Sequence, residues 1–67
     1  MRKKEARHII RDWLNVLEWP SIPSNNDPFK QEELVSIITQ ERNLSALDRE
    51  MIKETIQEIA SEKSERR

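Results

Sequence analysis

The sequence predicts an all-α protein of three short helices, in which helix 2 and helix 3 form an antiparallel hairpin and an N-terminal helix packs across it. Apolar residues recur three and four positions apart in three separate segments, as in helices that bury one face. Proline and capping residues separate these segments. The 67 residues include no glycine, which removes the usual residue for tight turns between strands. A chain of this length forms one small helical domain.

Helix 1 is predicted over residues 3–18. Its apolar stripe consists of Ala6, Ile9, Ile10, Trp13, Leu14 and Leu17. Pro20 ends the helix near Trp19, because the residue before a proline is pushed out of the helical region. Residues 19–27 form a linker rich in proline, serine and asparagine, and we expect Ile22 to pin this linker to the core.

Helix 2 is predicted over residues 28–42 from signals at both ends. Asp27 is a good N-cap, and Pro28 suits the first helical position, where its missing N–H is not needed. Asn43 is the expected C-terminal stop, since asparagine tolerates the left-handed conformation better than most residues. Between these ends lies a broad apolar face formed by Leu34, Val35, Ile37 and Ile38.

Helix 3 is predicted over residues 45–61. Its start, Ser45-Ala46-Leu47-Asp48, matches a capping box, in which two side chains satisfy the free N–H groups of the first turn. Its apolar side consists of Leu47, Met51, Ile52, Ile56, Ile59 and Ala60. Residues 62–67 contain nothing to bury, and we expect them to form a frayed, charged tail.

Charge and composition exclude several classes of function. The net charge is −1, and only residues 1–11 are clearly basic, with five basic side chains and one acidic one. Nucleic acid is therefore a disfavoured partner, since a binding domain of this size normally has a basic excess. No segment approaches the roughly 20 apolar residues of a membrane span, so we expect no contact with a membrane. The absence of cysteine fits a cytoplasmic location.

The sequence offers no convincing set of residues for catalysis, a cofactor or a metal. It has no cysteine or tyrosine to act as a nucleophile, and His8 is its single histidine. Glu5, His8 and Asp12 share one helical face, but one Glu-x-x-His motif supplies only part of a bundle metal site. We predict no catalytic, cofactor-binding or metal-binding residues and a function other than that of an enzyme.

Five residues are candidates for binding a partner. Leu47 and Met51 lie at one edge of the broad apolar side of helix 3, where we expect them to be partly exposed. Trp19 is either an interface anchor or a cover over the open end of the core. Arg7 and Arg11 belong to a basic N-terminus that either contacts an acidic partner or only keeps a frayed terminus soluble.

The hairpin segment has a pattern that matches a known family. The matching residues are Glu33-Leu34-Val35, Leu47, Arg49-Glu50-Met51-Ile52 and Glu58-Ile59. The spacing between these blocks agrees with the family pattern without a gap. Residues 33–59 thereby resemble the Sda-type sporulation checkpoint proteins, short helical hairpins that inhibit sensor histidine kinases. The chain departs from the family at Met51, where the family has a bulky aromatic residue, and in its long extension, residues 1–28. The resemblance implies that Leu47 and Met51 press on the dimerisation and phosphotransfer helices of a kinase.

We therefore expect a small regulatory protein that binds another protein through a helical apolar face. The sharpest version is an inhibitor of a sensor histidine kinase or of another bacterial regulator. Two alternatives stay open: a nucleic-acid-binding regulator that uses the basic N-terminal helix, and a structural subunit of a larger complex. Self-association as a homo-oligomer also stays open, because so small a core is marginal by itself.

Overall fold

The computed structural model describes residues 1–65, with side chains through residue 62. Helix α1 spans Lys3–Leu17, α2 spans Pro28–Arg42 and α3 spans Ala46–Glu65. α3 packs against both α1 and α2. The described residues contain no strand, so the predicted all-α fold of three short helices is confirmed.

α2 and α3 form the predicted antiparallel hairpin. The chain reverses direction over residues 43–45. Near the start of α2, the carboxylate of Glu32 lies 3.8 Å from the Lys53 ammonium of α3. Asn25, which precedes α2, donates a hydrogen bond to the Ser61 hydroxyl further along α3 at 3.0 Å. The beginning of α2 therefore lies beside the later part of α3.

The core is formed by side chains from all three helices and from the linker. Its buried apolar residues are Ala6, Ile9, Ile10, Ile22, Leu34, Val35, Ile38, Ile52, Ile56 and Ala60. Ile22 is 7% exposed, so it pins the linker to the core as predicted. Trp13, Leu14 and Leu17 are only half-buried and pack around this core. Full burial of one large aliphatic side chain contributes about 1.5–3 kcal/mol, so this set supplies the main stabilising term.

α2 begins and ends where its local signals predict. The Asp27 carboxylate accepts a hydrogen bond from the Lys30 N–H at 3.2 Å, and Pro28 is the first helical residue. Asn43 takes the left-handed conformation, with φ 54° and ψ 53°. These signals worked because each cap acts on backbone groups only a few residues away.

α3 begins directly after its capping residue. The Ser45 hydroxyl accepts a hydrogen bond from the Asp48 N–H at 3.3 Å, which is one half of the predicted capping box. The Asp48 carboxylate lies 3.5 Å from the Met1 amino group. The first helical residue is Ala46 and not Ser45, because a capping residue stands outside the helix that it caps.

The other end of α3 lies beyond the predicted residue 61, since the helix continues to Glu65. Glutamate and lysine have high helix propensity, so a polar extension can stay helical without an apolar partner. The predicted frayed tail was residues 62–67. Its backbone is helical to Glu65, and residues 66 and 67 lie outside the described residues.

α1 ends one residue before its predicted limit, at Leu17. Glu18 takes the left-handed conformation, with φ 59° and ψ 35°. The Glu18 N–H bonds to the Asn15 carbonyl at 3.1 Å and the Trp19 N–H to the Leu14 carbonyl at 3.0 Å, which is a Schellman motif. Glycine usually fills this position, and in a chain without glycine the glutamate does so. The reversal turns Trp19 back onto the core.

Hydrogen bonds attach the linker to the hairpin. Gln31 of α2 is 7% exposed, and its side-chain amide donates to the Pro23 carbonyl at 3.2 Å and to the Asn25 side chain at 2.9 Å. Asn25 in turn donates to Ser61 of α3. The linker therefore joins α2 to α3 through polar groups that satisfy each other.

We predict that Glu18→Gly stabilises the protein by about 0.5–1 kcal/mol, because glycine adopts the left-handed conformation without the steric cost of a Cβ atom. Urea denaturation measures the free energy of unfolding. The matched control is Glu33→Gly, the same replacement at an exposed position inside α2, which should destabilise by about 1 kcal/mol. Equal destabilisation by both variants would show that Glu18 is not strained.

Candidate protein-interaction surface

Two apolar side chains at the start of α3 reach the protein surface. Leu47 is 83% exposed. Met51, one helical turn later, is half-buried and packs against the core. Residues four apart lie on the same side of a helix, so the two side chains form one patch, which we call the Leu47–Met51 edge.

The phase of α3 explains why this edge faces outward. Ile52 and Ile56 are fully buried and fix which side of the helix faces the core. Each residue advances about 100° around a helix, so Leu47, nine residues before Ile56, lies on the opposite side. Both candidate residues reach the surface as expected, and their binding role stays a prediction.

The basic N-terminus is partly used within the molecule. Lys3 forms an ion pair with Glu58, and Arg7 forms one with Glu62 and lies 3.8 Å from the Glu58 carboxylate. The hydrogen bond to Glu62 raises the pKa of the Arg7 guanidinium above its ordinary value. Arg11 is exposed and forms no ion pair with a described residue. Arg7 and Arg11 therefore lie in different environments, with Arg7 facing α3 and Arg11 facing solvent.

Trp19 covers one end of the core, and its role as an interface anchor stays a prediction. Its side chain is half-buried and packs against the core. The Lys30 ammonium lies 4.9 Å from the centroid of its ring, a cation–π arrangement. Trp19 thus packs its ring against one end of the core, with the Lys30 ammonium over one face of the ring. It lies at the start of α2, away from the Leu47–Met51 edge.

Phe29 is an exposed aromatic residue that the sequence reasoning missed. It is 88% exposed. Its exposure could have been predicted from its position in α2, because residues 33, 36 and 40 on the same side of the helix are polar, and they are exposed. Val16 of α1 is 67% exposed and lies one turn after the half-buried Trp13. Phe29 is a single apolar group on a polar helix face, whereas Leu47 adjoins a second apolar residue.

The remaining polar groups do not converge on one point. His8 lies 3.7 Å from Asp12, and both side chains are exposed. Among the side chains that the structure describes, those of residues 1–62, no three histidine, aspartate or glutamate side chains come together as metal ligands would. No helix in this part of the chain combines the length and apolar character needed to cross a membrane.

Comparison with protein-family models, with curated proteins and with solved structures finds no match to this chain. The resemblance of residues 33–59 to the Sda-type proteins therefore stays a prediction that depends on the quoted residues alone. The geometry of the Leu47–Met51 edge is independent of that resemblance.

We predict that Met51→Glu leaves the protein folded and that Ile56→Glu unfolds it. Met51 can turn a carboxylate toward solvent from its half-buried position, whereas Ile56 is 0% exposed. An unpaired buried charge costs several kcal/mol, which is a large part of the total stability of about 5 kcal/mol expected for a small domain. Thermal melts followed by circular dichroism measure both variants. Equal loss of structure would assign Met51 to the core and remove it from the candidate surface.

We also predict that Arg7→Gln lowers the melting temperature and that Arg11→Gln, the matched replacement on the same helix, does not. The reason is that, of these two arginines, Arg7 is paired with carboxylates of α3 and Arg11 is not. The difference should shrink in about 1 M salt, where screening acts over about 3 Å. A difference that survives high salt would mean that the Arg7 stem contributes by packing and that its charge does not.

Proposed function

We propose that this chain is a small regulatory protein that binds another protein through the Leu47–Met51 edge of α3. The observation that carries the proposal is the 83% exposure of Leu47 beside the half-buried Met51. Leucine presents apolar surface that is available for contact. Methionine adds a flexible, polarisable side chain that adapts to differently shaped partners.

Covering this edge contributes part of the binding free energy that a specific contact needs. Burial of a leucine side chain is worth about 1.5–3 kcal/mol, and a few well-packed side chains supply most of the affinity of an interface. Because Leu47 is nearly fully exposed and Met51 is already half-covered, most of the gain comes from Leu47. The edge belongs to a helix that the core holds rigidly, so little order has to be created on binding.

The sharpest form of the proposal is inhibition of a sensor histidine kinase in the cytoplasm. It is supported by the resemblance of residues 33–59 to the Sda-type proteins, in which the same hairpin positions would press on the helices of a kinase. The structure adds that these residues belong to a hairpin with Leu47 at its surface.

The surface depressions are lined mainly by charged and polar side chains. One is lined by Glu54, Gln57, Glu58, Ser61 and Glu62 of α3. Another is lined by Arg2, Lys4, Glu5 and His8 along the start of α1. A third lies between α2 and α3 and is lined by Pro28, Gln31, Glu32, Lys53 and Gln57. Small-molecule pockets are usually lined mostly by apolar and aromatic side chains, so these depressions support the apolar edge as the binding surface.

The test is inhibition of kinase autophosphorylation. Purified sensor histidine kinases encoded by the same genome are titrated with the wild-type chain and with Leu47→Glu. For the kinase that responds, we expect Leu47→Glu to weaken inhibition by at least about tenfold, the effect of losing about 1.4 kcal/mol of binding free energy.

The matched control is Phe29→Glu, which places the same charge at another exposed apolar position. It should change inhibition by less than about threefold, as expected for a residue outside an interface hot spot. A large effect of Phe29→Glu with no effect of Leu47→Glu would move the binding surface to the start of α2. If no kinase responds, the kinase form of the proposal is wrong, and binding by other proteins is then measured with the same two variants.

A further inference from the structure

Four glutamates continue the exposed side of α3 beyond Leu47. Glu50, Glu54, Glu58 and Glu62 follow one another at intervals of four, so they form one ridge along the helix. Like charges one turn apart repel each other. We call this set the glutamate ridge.

The two halves of the glutamate ridge differ in their surroundings. Glu58 and Glu62 face Lys3 and Arg7 of α1, which offset their repulsion. Glu50 and Glu54 are exposed, and no described residue forms an ion pair with either of them. The uncompensated half is the half that adjoins the Leu47–Met51 edge.

α1 shows what kind of element the glutamate ridge accepts. It is an amphipathic helix whose apolar residues Ala6 and Ile10 are buried in the core. Its basic residues Lys3 and Arg7 lie against the ridge. Within one molecule, α3 therefore already binds a basic amphipathic helix through a combination of apolar contact and glutamate pairing.

We propose that the Leu47–Met51 edge together with Glu50 and Glu54 binds a basic amphipathic helix of the partner protein. Apolar residues of that helix would cover Leu47 and Met51, and lysine or arginine would pair with Glu50 and Glu54. This proposal rests on the proposed function and adds the chemistry of the partner. Charge complementarity of this kind sets specificity and speeds association.

A second copy of the chain fits this surface less well. The basic residues of its own α1 lie next to an apolar stripe that is buried in its own core. To offer that stripe to a neighbour, the second copy would have to unfold part of its core. Nucleic acid fits less well still, because its phosphates would meet the carboxylates of Glu50 and Glu54.

The test selects partners without assuming their identity. A display library of helical peptides of about 18 residues, five turns long, is selected on the immobilised full chain at low salt. Affinities of the enriched synthetic peptides are then measured by fluorescence anisotropy. We expect enrichment of apolar residues at intervals of three and four with lysine or arginine beside them. Leu47→Glu should weaken binding of these peptides by at least about tenfold.

A matched pair of double variants tests the charges. Glu50→Lys with Glu54→Lys should weaken binding by about tenfold at low salt, and the loss should shrink as salt rises. Glu33→Lys with Glu41→Lys makes the same change in net charge at exposed positions of α2. It should change binding by less than about threefold if the location of the charge decides the effect.

The outcomes separate this inference from the proposed function. Peptides that need Leu47 but carry no basic pattern would overturn the basic partner and keep the binding edge. Peptides whose affinity changes with neither Leu47→Glu nor Met51→Glu would overturn both proposals. The absence of any enrichment would also overturn both. A dimer seen by sedimentation of the wild-type chain and lost in Leu47→Glu would make a second copy the occupant, which also overturns the inference.

Discussion

Ile52 and Ile56 of α3 are fully buried, and α3 is the helix against which both α1 and α2 pack. The two isoleucines lie four residues apart, so together they fix the rotation of α3 about its axis. That rotation decides which side chains of α3 meet α1, which meet α2 and which reach solvent. This one packing arrangement explains three observations. Lys3 and Arg7 form ion pairs with carboxylates of α3, and Glu32 of α2 lies beside Lys53. Leu47 lies at the surface.

The parts of the fold that follow from neighbouring residues were readable in the sequence. Asp27 and Asn43 bound α2 correctly because each acts on backbone groups within a few positions. Glu18 was not foreseen as a left-handed residue, because glutamate has no special preference for that conformation. The left-handed conformation of Glu18 turns the chain toward the core, where Trp19 packs. A conformation that tertiary packing requires cannot be predicted from the neighbouring residues.

The candidate surface also has features that local sequence predicts and features that depend on tertiary packing. The exposure of Leu47 can be predicted from the sequence, because nine residues of about 100° each place it on the opposite side of α3 from Ile56. The pairing of Arg7 with Glu62 joins residues 55 positions apart and depends on how α1 lies on α3. Sequence reasoning therefore found the apolar edge but could not tell which basic residues face the protein itself. Phe29 was not among the predicted surface residues, because it lies on a polar face of α2, outside the apolar face of that helix.

The three helices are held together by different kinds of contact. Gln31 and Asn25 connect the linker to α2 and α3, and none of their hydrogen bonds reaches α1. α1 is retained by its apolar stripe and by ion pairs at the surface, which are individually weak. Because Ala6, Ile9 and Ile10 of α1 are buried in the core, this apolar stripe is what keeps α1 packed against α3. A partner helix that pairs with Glu50 and Glu54 does not compete with Lys3 and Arg7 for Glu58 and Glu62. α1 can therefore stay packed while the partner is bound.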